Sequence, residues 1–168
     1  MFLLWLVFLP ADAQYRKNLK KYEIKAGYGY YHGFHGGFNY FLNQRMNVGA
    51  SLGSHFSLPP LESERHFNIA VEYNLFAGAN NRQRLRPWIF NMQLMYWEQG
   101  SDSDRWRILS PGIHIGRKFA FTDHLGFSIE LGQAFNIVID HKRDPLVVES
   151  GWMWPILYNG RVQVYYCW

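Results

Sequence analysis

Few residues in this chain combine in a pattern that could do chemistry. His55-Phe56-Ser57 places an imidazole and a hydroxyl two residues apart, and Glu62 and Glu64 follow closely. Those are the groups from which a base-activated nucleophile with an orienting acid is assembled. His32 and His35 flank Gly33-Phe34. Two imidazoles three apart could hold a metal, but no third ligand is evident, so the segment reads as a solvated aromatic-rich loop and no metal or other cofactor is expected. Cys167 is the single cysteine, which rules out an internal disulfide and leaves no neighbouring thiol for a metal site. The basic cluster Asn81-Arg82-Gln83-Arg84-Leu85-Arg86 reads as a solvated turn rather than a nucleic-acid patch. A last group is charged: Glu23, Lys25, Glu72, Glu130 and Arg161 each fall on the polar side of an alternating segment. Their chemistry depends on what the segments build.

The clearest of those segments is 158–168. Val162, Val164, Tyr166 and Trp168 alternate with Arg161, Gln163, Tyr165 and Cys167. A period of two puts the sets on opposite faces of a strand. The same rhythm runs through most of the chain. Tyr22, Ile24, Ala26, Tyr28 and Tyr30 oppose Glu23, Lys25, Gly27 and Gly29; Met46, Val48, Ala50 and Leu52 oppose Asn47, Gly49, Ser51 and Gly53. Phe38-Tyr40-Leu42, Phe67 to Leu75, Trp88 to Tyr96 and Leu125 to Leu131 continue it. The sixth segment changes phase between Trp106-Ile108 and Ile113-Ile115, with Ser110-Pro111-Gly112 between, which predicts a bulge there. Connections are expected at 31–36, 43–44, 57–64, 77–86, 99–104, 119–123 and 140–155. The result is eight strands, long enough to cross a hydrocarbon core when tilted.

Composition bears on what surrounds them. Aromatics make up 18% of the 168 residues, yet mean hydropathy is only −0.25. After residue 14 no apolar run approaches the roughly 18 residues that a spanning helix needs. Alternating strands hide their hydrophobicity from such averages. The bulky side chains occupy the apolar face and the small ones (Gly27, Gly49, Ser51, Gly53, Ala70, Gly126, Ser128, Gly132) the polar face. An eight-stranded barrel has an interior just wide enough to be filled by side chains, so the small face fits inside and the bulky face must look outward. The expected fold is therefore all-β: an eight-stranded antiparallel up-and-down transmembrane β-barrel over residues 22–168. Residues 1–13, apolar and ending Ala11-Asp12-Ala13, read as a signal peptide, and 14–21 as a basic lead-in. Aromatic belts are expected from Tyr30, Trp97, Trp106 and Trp154 at one rim, and from Tyr22, Tyr40, Trp88, Tyr166 and Trp168 at the other.

On these patterns residues 22–168 resemble the small eight-stranded bacterial outer-membrane barrels of the OmpA/OmpX class. The resemblance implies that Val162, Val164, Tyr166 and Trp168 form an assembly signal read by the barrel assembly machinery, with Trp168 where that class has a final Phe. It also implies the outer membrane as location, after export by the cleaved signal. Outer-membrane lipid, lipopolysaccharide and other outer-membrane proteins are then the expected partners, and nucleic acid is not. The function expected is that of a non-enzymatic structural or docking subunit of an envelope assembly, with the charged set as a salt-bridged plug. Two alternatives stand beside it. His55-Phe56-Ser57 is similar to the His and Ser pair of outer-membrane lipid A deacylases, which would make the chain a lipid hydrolase with Glu62 or Glu64 as the acid. That family places its pair late in the chain and commonly has Asn where Leu58 stands here. The third reading is a soluble lipocalin-like ligand-binding barrel.

Overall fold

The computed structural model describes residues 20–30, 32–55, 65–79, 86–100, 104–143 and 156–168. Within them the alternation becomes nine strands: β1 (Tyr22–Gly29), β2 (Gly33–Asn43), β3 (Met46–His55), β4 (Arg65–Ala77), β5 (Trp88–Gly100), β6 (Asp104–Ala120), β7 (Leu125–Phe135), β8 (Ile137–Arg143) and β9 (Ile156–Cys167). Neighbours pair antiparallel from β1 round to β6, β6 pairs with both β7 and β8, and β7 pairs with β9. β9 then pairs with β1, from Glu23↔Cys167 to Gly29↔Arg161, and the sheet closes on itself. β7 and β8 lie end to end along β6, interrupted at Asn136, so nine strands make eight staves. Closure through β1, β9 and β7 removes the sheet edge along most of the ring, while β8, at the upper end, pairs only with β6 among the described residues.

The faces are those the side-chain sizes demand. Val71, Trp88, Phe90, Ile129 and Val164 are exposed on the outside, while Asn39, Asn47, Asn91 and Gln163 are buried. Several inner positions admit no side chain at all. A Cβ on Gly49 would fall on the Asn39 amide, and one on Gly116 on the Glu130 side chain.

The sixth segment has no bulge at Ser110-Pro111-Gly112. β6 runs in unbroken register against β5, from Gly100↔Arg105 to Trp88↔Arg117. Ile108 faces inward like Ser110, Gly112 and His114, so the phase never changed: apolar residues simply occupy inner positions at this end. The irregularity lies across the ladder. Ser110 and Pro111 have no partner between the β6–β7 and β6–β8 pairings, so a residue without an N–H stands where one ladder is interrupted. A register shift follows at Arg107/Ile108. The expected connection at 31–36 is also shorter, because β2 begins at Gly33, whose φ of 60° permits the tight reversal.

Inner apolar residues form two layers. At the lower end, where β1 begins and β9 finishes, Phe41, Phe76, Ile89, Tyr165 and Cys167 pack together. Toward the upper end Ala70, Met95, Trp97 and Ile108 do the same, with Trp106 against them. Trp97 therefore does not sit in an aromatic belt. Its odd spacing from Trp88 turns it inward, and its indole N–H donates to Ser110 Oγ at 2.8 Å. Trp106 is half-buried and stacks on His141 with ring centroids 3.6 Å apart. Tyr30 is exposed at the upper end, and Trp154 lies outside the described residues. Of the expected lower belt, Tyr22 lies 5.6 Å from Tyr40 and 5.8 Å from Trp168, and Tyr166 lies 6.0 Å from Trp168, while Trp88 stands apart on β5 beneath the Arg117 guanidinium.

Candidate functional site: the polar core of the barrel

Between the two apolar layers the barrel is filled with charge. Arg161 on β9 reaches across the interior. Its Nη2 donates to Glu130 Oε2 on β7 at 2.7 Å and to Glu72 Oε2 on β4 at 3.1 Å, and its Nη1 donates to Glu72 Oε1 at 3.3 Å. Lys25 on β1 donates to Glu72 Oε2 at 2.6 Å. Ser51 at 3.0 Å and Asn91 at 3.1 Å donate to the same carboxylate. All these side chains are buried. Desolvated ions are tolerable only when paired and hydrogen-bonded, and each of these is.

Glu23 lies lower. It accepts from Asn39 Nδ2 at 2.7 Å, from Cys167 Sγ at 3.3 Å, and from the Lys118 ammonium, with which it is ion-paired. Lys118 in turn stands over the rings of Phe41, Phe76 and Tyr165, 4.3 Å from the last. A desolvated ammonium is thus held by a carboxylate and by π-faces together. The structure places the five charges singled out in the sequence in two linked groups. Arg161, Glu72, Glu130 and Lys25 form one; Glu23 belongs to the other with Lys118, which sequence reasoning missed. The signal was present, since Lys118 shares parity with His114 and Gly116 opposite outward Ile113 and Ile115. Among the described residues the core sets three acidic side chains (Glu23, Glu72, Glu130) against three basic ones (Lys25, Lys118, Arg161), so the two kinds balance in number.

Imidazoles and amides surround the ions, with Asn91 bonded to Glu72 and Gln93 to Arg161. His32 and His35 are both buried, not solvated in a loop. The short reversal at Gly33 folds them into the upper barrel, with rings 5.2 Å apart. His32 Nε2 meets Gln93 Oε1 at 3.2 Å, His35 Nε2 meets Gln163 Nε2 at 2.8 Å, and His114 Nδ1 meets Asn91 Oδ1 at 3.1 Å. These partners are amides. Among the described residues no group of three metal-ligating side chains converges.

His55 ends β3 with its Cα opposite that of His66. Its side chain, with Ser57, Glu62 and Glu64, lies outside the described residues, as do residues 1–13. Val162, Val164, Tyr166 and Trp168 all point outward from β9.

No family model matches the chain, and no curated protein matches it by sequence. Solved structures match its fold, two of them as follows. One is the N-terminal β-barrel domain of Pseudomonas aeruginosa OprF, at TM-score 0.60 and 15% identity over 89% of this chain and 98% of that one. The other is Acinetobacter baumannii CarO, at TM-score 0.51 and 10% identity over 91% of this chain and all of that one. A closed ring of eight antiparallel staves, apolar outside and ion-paired within, has the fold of the small outer-membrane β-barrels.

Proposed function

We propose that the chain is a non-enzymatic integral protein of the bacterial outer membrane, serving as a structural element or docking subunit of the envelope. One observation carries the reading: the polarity of the fold is inverted. Among the described residues twenty buried side chains are polar or charged and ten are hydrophobic, while the outside carries a near-continuous apolar band. In water that arrangement would expose an apolar surface far beyond the few hundred Å² usual for soluble proteins. In lipid it is the stable one. The termini-bearing lower end then faces the periplasm. The ion-paired core supports a plug in preference to a pore, and its filled interior leaves a lipocalin-like cavity without support.

The test is location, then conductance. The protein should fractionate with the outer membrane and resist carbonate and urea extraction. Folded into planar bilayers, it should pass no current above background. Recovery in the soluble periplasm would overturn the membrane assignment, and steady single-channel steps would overturn the plug.

A further inference from the structure

Resting on the membrane reading and the orientation just given, one part of the outer surface departs from a smooth apolar band. Over β3 the outside is hollowed into a groove of about 740 Å³. The register shows why. Two rows of outward residues cross it, Tyr40-Val48-Tyr73-Met92 and Phe38-Ala50-Val71-Leu94. In each row β3 contributes the small member, Val48 or Ala50, and the flanking strands contribute bulkier ones. β3 is the floor; Phe38 and Tyr40 form one wall, and Tyr73, Met92 and Leu94 the other.

The lower end of this groove is cationic. Exposed Arg45 stands in the β2–β3 turn directly beneath it, and the Arg45 carbonyl accepts from Phe76 N at 2.7 Å, which ties the turn to β4. Lys21, also exposed, is fixed beside the end of β2 by Phe41 N donating to its carbonyl at 2.9 Å. Arg86, half-buried and held to Gly78 O at 3.1 Å, lies on the other lower connection flanking β4. Among the described residues none of the three is ion-paired with a side-chain carboxylate, and between Tyr73 and Asn91 the sequence has Arg82, Arg84 and Arg86 and neither Asp nor Glu. From Arg45 to Ala50 is five residues, about 16 Å along a strand, which matches one leaflet of a hydrocarbon core about 30 Å thick.

We propose that the groove and the cations beneath it form a binding site for one acidic glycerophospholipid of the periplasmic leaflet. An acyl chain lies on Val48 and Ala50, and the headgroup phosphate meets Arg45 and Lys21. The apolar floor selects a chain and the uncompensated cations select the charge.

The test folds the full chain into phosphatidylcholine vesicles containing a minor share of phosphatidylglycerol, extracts it in mild detergent, and identifies retained lipid by native mass spectrometry. The parent should retain one phosphatidylglycerol, enriched several-fold over its share of the bilayer. Arg45→Glu should cut that enrichment by about fivefold or more, from the attraction of one basic residue to an anionic surface, while phosphatidylcholine is still retained. Ala50→Trp, which fills the floor, should abolish retention of both. Lys142→Glu, at the upper end, should change nothing. Retention at the bulk ratio, or enrichment that survives Arg45→Glu, overturns the site. A dimer mass that Ala50→Trp converts to monomer assigns the groove to a second copy and also overturns it. Failure to enter vesicles of either composition is a different result and refutes the membrane reading itself.

Discussion

Replacing Arg161 with Met tests the logic of the core, because the side chain keeps its bulk and loses its charge. The consequences differ for its two carboxylates. Glu72 would still hold Lys25 at 2.6 Å and accept from Ser51 and Asn91. Glu130 would not, since among the described residues Arg161 is the only cation bonded to it. One buried carboxylate is thus left unpaired, which costs about 3–5 kcal/mol. With a urea slope of about 2 kcal/mol per molar, the unfolding midpoint should fall by about 2 M. The assay is reversible urea unfolding in lipid vesicles, followed by tryptophan emission and by the mobility shift of the folded barrel on unheated gels. The double variant Arg161→Met, Glu130→Gln removes the unpaired charge. It should recover most of the loss, leaving about 1–2 kcal/mol for the missing hydrogen bonds. A single variant within about 1 kcal/mol of the parent would refute the argument, as would a double variant no better than the single.

Three further outcomes follow from the same geometry. Val71→Arg, on the outer face midway along β4, should destabilise the barrel in lipid by about 2–4 kcal/mol in the same urea assay; a neutral result would mean that this face does not meet the hydrocarbon core. Gly49→Val would drive a branched side chain into the Asn39 amide and the Phe38 carbonyl. It should cost at least the roughly 1–3 kcal/mol of an overpacked core, read from the same unfolding curves, and a stable variant would show that the inner wall yields. Cys167, buried against Glu23, should resist maleimide in the folded barrel and react promptly in urea, as mass spectrometry of timed samples would show; equal rates would place the thiol outside.

The fold was legible because alternation is a local signal and the barrel obeys it almost everywhere. Side-chain size added the inside-out assignment, since bulky residues at positions such as Trp88 and Phe127 cannot fit an eight-stranded lumen. The departures share one cause, namely that the lumen is not uniformly polar. Trp106 and Ile108 looked out of phase because inner positions were assumed to be hydrophilic, whereas an apolar layer lines the upper end. Phe41, Phe76 and Ile89 escaped notice for the same reason at the lower end. His32 and His35 look like loop residues in the sequence because a reversal as short as the one at Gly33 leaves no mark in a period-two pattern. Which charges would meet was less accessible still. Arg161 and Glu72 belong to staves separated by β1, β2 and β3 on one side of the ring, and only closure brings them together across the lumen.

The seam between β1 and β9 has a consequence of its own. Lys21 N and Tyr22 N both donate to Trp168 O, and Trp168 N donates to Tyr22 O at 3.1 Å. Around the ring this junction is a ladder like any other. Where the polypeptide starts is then a matter of covalent bookkeeping and not of architecture. A few residues joining 168 to 20, with the chain reopened in an upper connection such as 101–103, would give a circular permutant with every stave still beside its native neighbours. Such a molecule would keep the ion-paired lumen intact while moving both ends, and any signal written near them, to the opposite end of the barrel.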